Sequence, residues 1–141
     1  MKAIGFTKNP VWLIRGTGGT VGAGQDFRIT ILDPRDPIAA GVYLNATPYR
    51  VRAGTGRKVL LVEFAMQLKT GGALLTVDVE VSADNGDTWA TIFNAPPEIT
   101  GKSGLSTDFA VAELEEDNLL RYNVLTAAGS GFEGILRGKV I

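Results

Sequence analysis

Asp78, Glu80, Ser82 and Asp84 recur at every second position of the chain. In an extended segment all of them project from one face, with i and i+2 side chains about 7 Å apart because of the strand rise. Carboxylates so placed have the chemistry of a glycosidase acid–base pair or of an oxygen-ligand calcium site. The same alternation is also the wet face of an ordinary half-buried strand, which needs no function to explain it. A second acidic group, Glu113, Glu115, Glu116 and Asp117, reads as a solvated turn capping a strand start, with calcium as the other reading. Residues 82–89, SADNGDTW, fit the pattern S-x-D-x-G-x-T-W. Asp84 suits a carboxylate that accepts backbone N–H groups across a turn, and Asn85-Gly86 suits the positive φ of a tight hairpin. Trp89 is placed to fold its ring over that turn. Asp84, Asn85, Gly86 and Trp89 are therefore read as hairpin-turn residues, since their spacing does not fit an EF-hand loop.

What is missing narrows the chemistry further. The chain has no cysteine and no histidine. Disulfides, Cys/His zinc sites and Ser-His-Asp or Cys-His catalysis are excluded. The glycine-rich run GTGGTVGAG, residues 16–24, fails as a nucleotide fingerprint. With Gly16 and Gly18 as the first two glycines, Val21 stands where the third is needed, and a strand rather than a helix follows. A net charge of −1 argues against phosphate-driven nucleic-acid binding. No apolar run approaches the length of a transmembrane helix. The opening MKAIGFTKNPVWLIRG has too short an apolar stretch for a signal peptide, so synthesis in a cytoplasm is expected. No catalytic residue, cofactor, metal, nucleic acid or membrane partner is expected.

The elements that must carry these residues are strands. At 141 residues the chain suits one domain with a core of its own. Within residues 73–82, Leu75, Val77, Val79 and Val81 on the dry face alternate with Thr76, Asp78, Glu80 and Ser82. Residues 57–68 place Leu60, Val62, Phe64, Met66 and Leu68 on one face, and Val59, Leu61, Glu63, Ala65 and Gln67 on the other. The turn Lys69-Thr70-Gly71-Gly72 predicts that these two strands form a hairpin. The outgoing strand of SADNGDTW is TWATIFN, stopped by Pro96-Pro97. Residues 98–106 read as a loop. Residues 107–112 read as a strand, with a short helix over 108–120 as the rival. Residues 118–126 and 133–141 are strand-rich, joined by the glycine turn 127–132. In the first 56 residues, 11–15 and 26–32 look like strands, and short edge strands fit 42–44 and 49–52. The fold class expected is all-β: a single β-sandwich or jelly-roll-like domain over 57–141, with 1–56 as a loop-rich N-terminal arm with accessory strands.

SADNGDTW matches the Asp box that recurs on sialidase propeller blades away from the catalytic centre. Here it occurs once, in a chain too short for such a propeller. Residues 57–141 as a whole resemble the small jelly-roll or β-sandwich domains of tailed-bacteriophage virion proteins. The resemblance lies in the Val-rich strand, the Thr-Gly-Gly turn, TVDVEVS with its Asn-Gly turn, and the Pro/Gly loop. LEEDNLLRYNV, a glycine turn and the closing EGILRGKVI complete it. It is closest in kind to capsid decoration (cement) and head-fibre proteins. It implies a structural virion protein that docks as a homotrimer on the major capsid protein or another virion protein, with no catalytic residues. The place implied is the capsid surface, after synthesis in a host cytoplasm.

A carbohydrate- or receptor-binding module of a fibre or tail is the alternative, with Trp12, Tyr43, Tyr49, Trp89 and Tyr122 as its aromatic platform. A carboxylate-based hydrolase using Asp78 and Glu80 is the third reading.

Overall fold

The computed structural model describes the backbone of residues 11–15 and all of residues 24–42 and 48–141. Among them it has strands and no helix. In chain order the strands are β1 (Val11–Arg15), β2 (Asp26–Asp33), β3 (Gly41–Val42), β4 (Tyr49–Arg50), β5 (Lys58–Thr70) and β6 (Leu75–Ser82). They continue as β7 (Ala90–Thr91), β8 (Glu98–Ile99), β9 (Ser103–Ser106), β10 (Glu113–Glu115), β11 (Leu119–Thr126) and β12 (Ser130–Val140). The first sheet runs β1-β2-β12-β5-β10, with β9 also on β5. The second runs β3-β11-β6-β7, with β4 also on β11 and β8 also on β6. All pairings between strands are antiparallel. The result is the all-β sandwich that the period-two pattern predicts.

The core fills the space between the sheets. Phe27, Ile29 and Ile31 of β2, Phe64 and Met66 of β5, and Phe132 and Leu136 of β12 are buried from the first sheet. They face Leu75, Val77 and Val79 of β6 and Leu120, Tyr122 and Val124 of β11. Each such side chain contributes roughly 1.5–3 kcal/mol relative to exposure. Phe64 sits 5.6 Å from Phe93 and 6.5 Å from Phe132, and Tyr122 stacks on Phe132 at 5.4 Å. Gly134 makes room for these rings: a Cβ there would lie 2.6 Å from Phe64 Cζ.

Several expectations are corrected. β5 and β6 do not form a hairpin, because they belong to different sheets. Each has a better partner, β12 for β5 and β11 for β6, so the turn at Gly71-Gly72 carries the chain across the sandwich. The connection from β11 to β12 crosses in the same way, and the two connections pack closely. A Cβ on Gly72 would lie 2.8 Å from the Cβ of Ala128.

The faces of β5 also differ from simple alternation. The register to β12 skips between Gly138↔Leu61 and Arg137↔Glu63, which leaves Val62 as an extra residue. Such a bulge reverses the inside–outside phase. Val59 and Leu61 therefore join Phe64, Met66 and Leu68 in the core, and Leu60 and Val62 face out at 40% and 45% exposure.

Residues 26–33, read as part of an arm, are an interior strand of the first sheet between β1 and β12. Residues 98–106, read as loop, contain β8 and β9, each pairing a longer strand. Residues 107–112 form no strand, only an isolated bridge at Phe93↔Phe109 with a few backbone hydrogen bonds such as the Leu61 N–H to the Ala112 carbonyl, and the rival helix is not formed. The outgoing strand TWATIFN shrinks to β7. Most of the glycine-rich run 16–24, together with Tyr43, Leu44 and the side chain of Trp12, lies outside the described residues.

Candidate functional site

The outer face of the second sheet gathers the polar side chains that β6 projects. The antiparallel register sets Arg121 of β11 opposite Glu80 and Asn123 opposite Asp78, and sets Thr91 of β7 on the other side of Glu80. The Arg121 Nε–H donates to Glu80 Oε1 at 2.5 Å, and Asn123 Nδ2 reaches Glu80 Oε2 at 3.5 Å. The Thr91 hydroxyl donates to Asp78 Oδ1. Arg121 also lies over the ring of Trp89, 4.4 Å from its centroid. This is a favourable placement of a cation on an aromatic face.

Trp89 is held there by the loop before it. Asp84 accepts the Thr88 backbone N–H at 2.8 Å and the Thr88 hydroxyl at 2.5 Å, and Ser82 donates its hydroxyl to Asp84 Oδ1 at 2.7 Å. The Gly86 N–H donates to Ser82 Oγ at 2.8 Å. Asn85 and Gly86 both have positive φ, 60° and 96°, the pair of values a type I′ turn requires. The indole N–H of Trp89 then donates to the Gly86 carbonyl at 3.1 Å, which folds the ring back over the turn. The four turn residues named from the sequence are thus brought together. They lie in a longer connection than a two-residue hairpin, since β6 pairs β7 only at Glu80↔Thr91 and Val81↔Ala90.

The electrostatics follow from these contacts. The Thr88 hydroxyl and amide, with Ser82, hold Asp84 down at about 2. Burial pushes Asp78 up to about 6, and the neighbouring Glu80 adds to this against the Thr91 hydrogen bond and Arg121. Asp78 is only 4% exposed. Both oxygens of Glu80 are engaged by Arg121 and Asn123. The two carboxyls therefore do not face a common opening in the way a glycosidase pair must.

Three residues of the second acidic group, Glu113, Glu116 and Asp117, are also engaged. Glu113 pairs with Lys58 at 3.6 Å, and Asp117 with Arg52 at 2.6 Å. Glu116 accepts the backbone N–H groups of Ala53 and Gly54, which ties residues 53–54 to the β10–β11 turn. Among the described residues no three metal-ligating side chains converge.

Among the described side chains the aromatic platform is not assembled. Tyr122 is 2% exposed and points inward, where its hydroxyl donates to Asp33 Oδ2 at 2.9 Å across the sandwich. Burial first, then the Asp33 charge, push its phenol well up. Tyr49 is half-buried against the core. Of the aromatic residues named, Trp89 alone is seen at the polar face among the described side chains.

The sequence reading missed Arg121 and Asn123. Their alternation in LLRYNV was visible, but only the register to β6 shows which carboxylates they meet. It also missed Asp33, wholly buried and held by the Arg35 guanidinium at 2.7 and 2.8 Å.

No protein-family model matches the chain, and no curated protein matches it significantly. Among solved structures, one similar chain is the N-terminal cellulose-binding domain of Cellulomonas fimi β-1,4-glucanase C. It is 11% identical over 96% of this chain and 92% of that one, with a TM-score of 0.34. Another is TmCBM61 in complex with β-1,4-galactotriose, 14% identical over 94% of this chain and 68% of that one, with a TM-score of 0.30. The sandwich assignment rests on the sheet topology of this chain itself.

Proposed function

We propose that this protein is a non-catalytic binding module that takes a carbohydrate on the outer face of its second sheet. The observation that supports this reading is the row Thr91–Glu80–Arg121–Asn123 beside the Trp89 indole. A sugar ring offers hydroxyls to planar polar side chains and an apolar C–H face to an aromatic ring or a guanidinium plane. The row presents both, on strands and a braced loop rather than on free side chains, so little ordering entropy remains to be lost on binding. A glycan array followed by calorimetry tests it. Arg121→Ala should weaken binding of any glycan hit by about tenfold or more, as losing a charged hydrogen-bond donor does. An array without hits, or full binding by both Arg121→Ala and Trp89→Ala, would overturn the reading.

A second reading, a virion surface protein that docks on a capsid, is favoured by a different face. Leu60, Val62 and Leu105 are exposed on the first sheet, and Leu105, at 63%, pairs with Ala65, which lines a shallow pocket of about 110 Å³ with Met66, Gln67, Glu133 and Ile135. Exposed apolar side chains of this size are one kind of surface that a partner can cover. The homotrimer and the capsid contact belong to this reading. Sedimentation of the protein alone and with purified capsids tests it, and a monomer that binds no capsid ends it.

A further inference from the structure

We propose that Asn85 is a site of spontaneous deamidation that the folded loop holds closed and that opens when the loop loosens. An asparagine followed by glycine is the backbone pair most open to this reaction, because no side chain shields the following amide nitrogen. The step is internal to the chain. The Gly86 nitrogen attacks Asn85 Cγ, an N–Cγ bond forms, the Cγ–Nδ2 bond breaks, and the Gly86 amide proton leaves with Nδ2 as ammonia. Water then opens the succinimide ring at either carbonyl, giving aspartate or isoaspartate at position 85. No oxidant, reductant or enzyme is needed.

Both reacting groups are engaged in the fold. The nucleophile is tied because the Gly86 N–H donates to Ser82 Oγ, whose own proton goes to Asp84. The electrophile is tied because Arg50 Nη2 donates to Asn85 Oδ1 at 3.1 Å, while Arg50 also reaches the Asp117 carbonyl at 3.3 Å. The positive φ of Asn85 and the Trp89–Gly86 contact fix the backbone between them. Ring closure therefore needs local opening, in which the Ser82 and Arg50 hydrogen bonds are lost together. Conversion to isoaspartate places an extra methylene in the main chain of this turn. The refolded loop then cannot restore both the Ser82–Gly86 bond and the seat of Trp89. This inference does not depend on the carbohydrate reading.

The test compares the intact protein, Ser82→Ala, Arg50→Ala and the free octapeptide of residues 82–89 in mildly alkaline buffer. Peptide mapping with isoaspartate-specific detection reads conversion at position 85, and Asn85→Gln confirms the assignment. The octapeptide should convert fastest and the intact protein slower by about tenfold or more. Both variants should fall between them with circular dichroism unchanged. Arg50 is a partly exposed surface residue, so its variant keeps the fold and the comparison stands even if Ser82→Ala unfolds. Conversion of the intact protein at the octapeptide's rate, or an Arg50→Ala rate equal to that of the intact protein, overturns the proposal.

Discussion

Asp78 carries a carboxyl group in a place that resists its charge. Its pKa is about 6 in the folded chain against an ordinary value of 3.8. A group that holds its proton more tightly folded than unfolded makes the native state gain stability as pH falls. The cost of the ionised carboxylate is fully present above pH 6 and is relieved as the pH drops from about 6 toward 4. Asp78→Asn should therefore raise the melting temperature at pH 7 by roughly 3 °C and leave it almost unchanged at pH 4, which melts across that range will show. Tyr122 makes the opposite kind of contribution. Its hydroxyl meets a wholly buried carboxylate from the other sheet, so Tyr122→Phe should cost about 1.5–3 kcal/mol in urea unfolding, the range for a hydrogen bond to a charged group.

β5 and β12 are the strands on which the rest of the first sheet depends. β12 separates β2 from β5, and β5 in turn carries β9 and β10. The bulge at Val62 makes β5 serve two phases at once, and Gly134 lets β12 approach the Phe64 and Phe132 rings. Gly134→Ala should cost about 1–3 kcal/mol, because its Cβ meets ring carbons of both phenylalanines. Denaturant midpoints measure this, and a neutral result would mean that both rings can retreat. In the second sheet, β6 and β11 were legible as strands from alternation alone, and so was the polar face of β6. The pairing that makes a site of that face was not. An arginine three residues into LLRYNV carries no local sign that it will sit between Glu80 and an indole.

Considered as a whole, the molecule does not divide at residue 56. Phe27, Ile29 and Ile31 lie in the same core as Phe64 and Leu136, and β2 covers one edge of β12 along eight residue pairs. A fragment of residues 57–141 should lose cooperative unfolding, since it leaves that edge open and removes Phe27, Ile29, Ile31, Ile38, Val51 and Ala53 from the core. A sigmoidal melt of the fragment would show the opposite. Leu60→Ser with Val62→Ser should change stability by no more than about 0.5 kcal/mol per site, because both residues are surface residues in this fold. Any loss of assembly in that variant then reports on the outer face rather than on the core.

The sequence by itself determined the all-β class, the absence of histidine and cysteine chemistry, and the turn at Asp84, Asn85, Gly86 and Trp89. Those are matters of residue type and of short-range geometry, which neighbouring residues settle among themselves. Only the tertiary structure decided which strands are partners, which face of β5 is buried before and after Val62, and which side chains meet Asp78 and Glu80. Those depend on register between segments distant in the chain, and a one-residue slip exchanges the two faces of a strand. The Gly71-Gly72 turn shows the limit most directly. Its local chemistry suits a hairpin, yet the competition between β12 and β11 for the flanking strands sends the chain across to the other sheet.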